Sequence, residues 1–367
     1  MHLTDEAAAQ HELGLDFASR RRWDEAIAAF REAIRLHPNY VDAHYDLART
    51  LTDAGRLEQA ADAYRSLIDL VPQFAEAHLG RGYVLAELGH HQAALPCYRE
   101  AIRLRPEETR AHYNLGNALA ALERYEEAIS AYREATKRDP SFGHAYSGLG
   151  ASFGCLGKWE EAARWHREAI RLDPQDAIAL SNLGVALAEL GRLTESEEVL
   201  RDALRLRPTD FDTHIRFGAT LAEQSKWDEA ADAFRKAVGI NSTNAAALSR
   251  LGGALSMARR HEEAIEACSQ AVALDPNAAD THYNLGIALS NAKRHEEAIA
   301  SFRRTLEVQP DWLQAQLAMA EDLSTLGRHR EAVAAFRRAL EIDPGCLERD
   351  PEERVIYESS LARHGSG

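Results

Sequence analysis

Apolar residues recur along this chain with two periods at once. The short period is helical. Between Thr109 and Phe142, large apolar side chains stand at Leu115 and Leu119 beside a small Gly116, and Ala128 and Tyr132 follow four residues apart. Spacings of three and four place such residues on one helical face. The long period is 34 residues. Counting Thr109 as position 1, position 8 is small and positions 7 and 11 are large, as in Leu149, Gly150 and Phe153 or Leu285, Gly286 and Leu289. Position 20 is alanine at Ala26, Ala60, Ala94, Ala128, Ala162, Ala230, Ala264, Ala298 and Ala332, and position 24 carries a ring at Phe30, Tyr64, Tyr98, Tyr132, Phe234, Phe302 and Phe336. Small residues at fixed places let two helix backbones approach, and the ring fills the remaining gap.

The breaks are as regular as the faces. Pro38, Pro72, Pro106, Pro140, Pro174, Pro208, Pro276, Pro310 and Pro344 keep one register, with Ser242 in the slot between Pro208 and Pro276. Proline lacks an N–H and clashes with the preceding helical turn, so each marks a boundary between units. Gly55, Gly89, Gly157, Gly191 and Gly327 share position 15, where a first helix is expected to end in a left-handed residue. Each unit therefore predicts two helices of roughly 14 residues, too short to be stable alone. Stacking must hold them.

The pattern L-G-x-x-L, A-x-x-x-F/Y and P over 34 residues resembles the tetratricopeptide repeat. The resemblance covers residues 7–346 as ten units starting near Ala7, Val41, Ala75, Thr109, Gly143, Ala177, Phe211, Ala245, Ala279 and Leu313. Residues 1–6 form a lead-in, and 347–367 a capping helix and flexible tail. The implied fold is all-α: a right-handed α-solenoid superhelix of ten helix-turn-helix units plus a C-terminal capping helix. Departures are few. Ser196 replaces the position-20 alanine, and His166, Leu200 and Cys268 replace the ring. Asp350-Pro351-Glu352-Glu353 reads as an N-cap with proline in the first helical position, predicting a cap from about Pro351 to Arg363, ended by Gly365. Val355, Ile356 and Leu361 are expected to pack on the tenth unit. Gly148 and Gly154, inside a first helix, predict a soft point midway along the array, because interior glycine costs ~1 kcal/mol against alanine.

Charge and composition narrow the function. A formal charge of −15 argues against a phosphate-backbone binder, so nucleic acid is not an expected partner. No apolar run reaches the ~18 residues a bilayer span needs, and no basic, then apolar leader opens the chain, so a cytoplasmic protein without a membrane partner is expected. Cys97, Cys155, Cys268 and Cys346 share no spacing and are expected to be reduced, with Cys97 and Cys268 acting as small hydrophobes. Neither His261-Glu262 nor His295-Glu296 has the second histidine of a zinc helix. Gly148-x-Gly150 with Gly154 lacks nucleotide-loop spacing. The position-4 histidines His44, His78, His112, His214 and His282 are expected to be structural. No catalytic residue, metal or cofactor is expected.

The resemblance implies that first helices line a concave groove through positions 2, 5, 6, 9, 12 and 13. The candidates there are Tyr45, Arg49, Tyr83, Arg110, Tyr113, Asn114, Asn117, Asn182, Arg216, Arg250, Tyr283 and Asn284. Asparagine donates to and accepts from a peptide backbone, tyrosine offers a rigid ring with a polar tip, and arginine grips a carboxylate twice. The expected function is a non-enzymatic scaffold that binds extended protein segments, with Arg216 and Arg250 gripping an acidic group. Asn114, Asn182 and Asn284 share position 6 and resemble the asparagine ladder of O-linked N-acetylglucosamine transferases. An alternative is thus the substrate-presenting region of such an enzyme, its catalytic domain outside this chain. A second alternative is a self-associating adaptor. The chaperone carboxylate clamp is not matched, because no unit has Lys at position 5 with Asn at 9.

Overall fold

The computed structural model describes residues 5–364; Met1–Thr4, Gly365 and the tail lie outside the described residues. Every regular element among the described residues is a helix. Two compact bodies divide the chain at Ala186 and Leu187. The N-terminal body contains α1 (Asp5–Ser19), α2 (Trp23–Leu36), α3 (Val41–Asp53), α4 (Leu57–Leu70), α5 (Ala75–Glu87), α6 (His91–Leu104), α7 (Thr109–Ala121), α8 (Tyr125–Arg138), α9 (Gly143–Cys155) and α10 (Trp159–Leu172). α11 (Ala177–Glu189) runs across the division. The C-terminal body continues with α12 (Leu193–Leu206), α13 (Phe211–Glu223), α14 (Trp227–Ile240), α15 (Ala245–Met257), α16 (His261–Leu274), α17 (Ala279–Asn291), α18 (His295–Val308), α19 (Leu313–Thr325), α20 (His329–Ile342), α21 (Cys346–Arg349) and α22 (Pro351–His364).

In the N-terminal body each helix from α1 to α10 packs on the next. The odd helices α1, α3, α5, α7 and α9 also touch one another in succession, while successive even helices make no comparable contact. First helices therefore form the close, inner face of this body. The repeat's small positions explain how it packs. A Cβ at Gly116 would stand 2.6 Å from the Tyr132 ring, and Gly14, Gly82 and Gly218 face Phe30, Tyr98 and Phe234 in the same way. Where the ring is missing, the slot is still filled, by His166 against Gly150 and by Cys268 against Gly252; in the alanine slot, the Ser196 hydroxyl sits 3.2 Å from that of Thr220.

The turns follow the sequence reading and extend it. The position-15 glycines are left-handed, with φ between 69° and 78°, and Arg21, Glu123, Ser225, Arg259 and Lys293 take the same conformation at the same position. The position-4 histidines have a shared structural task. Nε2 of His44, His78, His112, His214 and His282 donates to the carbonyl of the proline six residues earlier, at 2.8–3.0 Å. That carbonyl belongs to a turn and has no helical donor, so the imidazole satisfies it. Burial lowers the His112 pKa, which keeps this ring neutral.

One expectation is corrected, and another gains a structural setting. α9 runs unbroken through Gly148 and Gly154: a Cβ at Gly148 would stand 2.7 Å from the Tyr132 ring, which leaves no room for it, and one at Gly154 would stand 3.2 Å from Trp159, a tight contact. Both glycines of the predicted soft point therefore lie against aromatic rings. In the cap, Asp350 Oδ1 accepts from the amides of Glu352 and Glu353 at 2.9 and 3.2 Å, and Ile356 and Tyr357 pack against the cluster around Phe336. Val355, expected to pack there, is exposed because it falls on the outer side of α22.

The C-terminal body has one unusually close pair. α15 and α17 approach more closely than any other described pair of successive first helices. α15 is rich in alanine, serine and glycine, so little side-chain volume separates the backbones. Asn284 donates to Ser249 at 2.8 Å and Asn291 to Ser256 at 2.9 Å across this contact.

Candidate functional site

The inner face of the N-terminal body carries a groove of ≈ 500 Å³. Its apolar lining is Tyr45, Tyr64, Leu79, Gly80, Tyr83, Tyr113 and Phe142, and its polar lining is Glu76, Glu108, Arg110 and Asn114. α3, α5 and α7 present Tyr45, Tyr83 and Tyr113 because positions 5 and 9 of a first helix lie off the core face. Five of the expected residues, Tyr45, Tyr83, Arg110, Tyr113 and Asn114, are thereby brought together.

The rings are held by contacts within the fold. Tyr45 meets Phe74 edge-on at 5.4 Å, and Tyr113 meets Phe142 edge-on at 5.1 Å and Tyr132 at 5.9 Å. Gly80 occupies position 6, where a Cβ would lie 2.4 Å from Tyr64 Cζ, so its lack of a side chain lets the Tyr64 ring reach the groove. Tyr83 is the least supported ring, 43% exposed. Burial pushes the Tyr64 hydroxyl up to about 12 and raises those of Tyr45 and Tyr83, the last helped by Glu87 and Asp53. These phenols stay neutral at physiological pH. Glu76 is paired with Arg105, and Glu108 accepts from the Arg110 amide at 3.3 Å as the N-cap of α7.

The other expected residues fall elsewhere. Arg49 lies over the Tyr45 ring at 5.8 Å, reaches Asp46 at 3.6 Å and lines a separate cavity with Trp23 and Phe30. Asn117 accepts from the Tyr132 hydroxyl at 2.7 Å, so it fixes a core ring. Asn182 on α11 and Arg216 on α13 are half-buried and each has a partner in the fold. Arg250 is exposed on α15, and neither it nor Arg216 lines a described cavity. Tyr283 stacks on Trp312 at 5.1 Å, and Asn284 is committed to Ser249. Position 6 therefore does not form a free ladder: Asn114 lines the groove while Asn284 bonds within the fold.

Tyr64, Glu76, Leu79, Gly80, Glu108 and Phe142 were not foreseen as lining residues. One signal was available. An aromatic at position 5 is matched by an aromatic at position 34 of the same unit in the contacts Tyr45–Phe74, Tyr113–Phe142 and Tyr283–Trp312. Ser147 with Asp176 is the polar version, at 3.4 Å. Reading those two positions together would have found Phe142.

No group of three or more His, Cys, Asp or Glu among the described residues is placed to hold a metal ion. No described helix is long and apolar enough to cross a membrane. The cysteines are free thiols, and burial pushes Cys268 up to about 12.

Comparison with known proteins adds the following. Residues 52–251 match the family described as the cilia and flagella-associated protein 70 C-terminal domain. Residues 11–75 match one tetratricopeptide repeat family, and residues 243–311 and 277–344 match another. Among solved structures, a tetratricopeptide repeat protein from Parabacteroides merdae is 18% identical, with 68% of this chain and 98% of that one covered at a TM-score of 0.54. The APC/C hetero-tetramer Cut9-Hcn1 is 20% identical, covering 82% of this chain and 59% of that one at 0.52. Pseudomonas aeruginosa pilF is 19% identical, covering 56% and 94% at 0.50. At these identities the likeness concerns the fold alone. No curated protein matches the chain.

Proposed function

Because this chain belongs to the tetratricopeptide repeat family, we propose that it is a protein-interaction scaffold whose N-terminal body binds an extended peptide segment along α3, α5 and α7. The observation that carries this reading is the groove itself, in which three tyrosines from three successive first helices stand beside Arg110 and Asn114. Two of those rings are already buttressed, so the receptor bears little of the ordering cost of binding. Stacked repeats add rigidity, because each is fixed by both neighbours. Tyr and Arg are the residue types that most often dominate binding energy when desolvated at an interface.

The reading does not rest on the C-terminal arginines: Arg216 has a partner in the fold, and Arg250 lies exposed on the next first helix. The test is selection of displayed random dodecapeptides on the full chain. Tyr83→Ala/Arg110→Ala is expected to weaken the selected peptides on the order of tenfold or more, as loss of an interface hot spot does. Peptides that bind that variant as well as the parent would contradict the assignment.

A further inference from the structure

Charge on the inner face of the N-terminal body is one-sided. At positions 2, 5, 6, 9, 12 and 13 of α1, α3, α5, α7 and α9 stand six carboxylates, Glu12, Asp42, Asp46, Asp53, Glu76 and Glu87, against two guanidiniums, Arg49 and Arg110. Part of this charge is neutralised within the fold: Asp46 takes Arg49 at 3.6 Å and His11 at 2.9 Å, and Glu76 takes Arg105. Among the described residues, the side chains of Glu12, Asp42, Asp53 and Glu87 have no ion pair or hydrogen bond and all four residues are exposed, which leaves four carboxylates to the single guanidinium of Arg110. Glu108 adds another carboxylate at the edge of the groove. Two of the unpaired four bracket the groove's most exposed ring. Glu87 follows Tyr83 by four residues on α5, one turn along the same helical face, and Asp53 holds the equivalent position 13 on the neighbouring α3. The charges of both reach the Tyr83 hydroxyl, where they add to burial in raising it. Asp53 also walls the adjoining cavity beside Trp23.

Resting on the peptide-binding reading above, we infer that the occupant of the groove is a basic segment, with a lysine or arginine side chain laid on the Tyr83 ring between Asp53 and Glu87. The face of an aromatic ring is the negative end of its quadrupole, so a cation within about 6 Å of the ring centre is attracted, and the flanking carboxylates strengthen that attraction. A glutamate or aspartate at the same place would meet like charge from both sides, and an apolar side chain would gain the ring and nothing from the carboxylates. Lysine and arginine also carry long apolar stems, which can lie along Tyr45, Tyr64 and Leu79 while the charged head stays among the acids. Arg110 sets a direction. It offers donors to the segment's backbone carbonyls at α7, whereas α3 and α5 offer carboxylates to its cations. Four unpaired carboxylates on one face also steer a basic segment toward it before contact.

Calorimetric titration of the full chain with end-blocked decapeptides that alternate serine with lysine, with glutamate or with glutamine tests this. The lysine peptide is expected to bind saturably and to weaken as salt rises. Asp53→Asn/Glu87→Gln and Tyr83→Ala should each weaken it on the order of tenfold. Tyr83→Phe keeps the ring, and Glu160→Gln/Glu161→Gln removes the same charge from the exposed start of α10, so both should stay within about twofold of the parent. Circular dichroism melts unchanged from the parent establish that the variants are folded. Equal weakening by the α10 pair, or none by Asp53→Asn/Glu87→Gln, would overturn the assignment, since the peptide would then answer to net charge or to the ring alone. If the glutamate or glutamine peptide binds in a Tyr83-dependent way and the lysine peptide does not, the groove stands as a peptide site and the basic assignment is overturned. If no peptide responds to Tyr83→Ala, both the basic assignment and the peptide-site reading fail.

Discussion

Glu123, Arg21, Ser225, Arg259 and Lys293 hold a left-handed backbone that glycine adopts at Gly55, Gly89, Gly157, Gly191 and Gly327. For a residue with a Cβ this conformation costs roughly 1–2 kcal/mol, offset in part by the greater freedom glycine has in the unfolded chain. Glu123→Gly is therefore expected to stabilise the chain by about 0.5–1 kcal/mol, read as a higher urea midpoint. A lower midpoint would mean that the Glu123 side chain makes a contact worth more than the strain. Residues also show where sequence reading reached and where it stopped. Position 15 was legible where it is glycine, since glycine announces a left-handed turn, and illegible at Glu123, whose side chain announces nothing. Asn117 looked like a groove residue and proved to hold Tyr132, because its partner lies in the following helix and follows no local pattern.

At the scale of elements, the cap shows charge opposing packing. α22 seats Ile356 and Tyr357 on the cluster around Phe336, and the Ser324 and Ser360 hydroxyls meet at 2.9 Å. Yet Glu321 of α19 is pushed up to about 7, first by burial and then by Glu353, Asp322, Asp350 and Glu352. Tyr283 of α17 also faces it. A carboxyl whose folded-state pKa exceeds its usual 4.5 binds its proton more tightly when folded. The stability it contributes is complete below about 4.5 and is lost as pH rises through about 7. The cap is thus expected to loosen between pH 5 and 8, and Glu321→Gln to slow hydrogen exchange in α22 relative to the parent at pH 8 but little at pH 5. Equal effects at both pH values would place the cause outside this carboxyl. The cap's existence was legible in Asp350-Pro351-Glu352-Glu353, whereas the exposure of Val355 depended on the rotation of α22 about its axis, which an N-cap signal does not set.

At the scale of the whole molecule, the fold was legible because each register position meets the same neighbour type in every repeat. Gly116 facing Tyr132 and Gly218 facing Phe234 are one rule written twice. The groove follows a register rule only in part, in the position-5 and position-34 rings of Tyr45 with Phe74 and Tyr113 with Phe142. Its residues must differ from repeat to repeat if one stretch is to bind and another is not, so only Tyr45, Tyr83, Arg110, Tyr113 and Asn114 were both expected and found together. Phe142 was missed because it acts through Tyr113, 29 residues earlier, across a full helical hairpin. The crystal structure of the full chain with its tightest selected dodecapeptide tests the account most directly. The peptide is expected to run extended along α3, α5 and α7, in van der Waals contact with Tyr45, Tyr83 and Tyr113. A peptide bound as a helix, or seated on the second helices α4, α6 and α8, would contradict it.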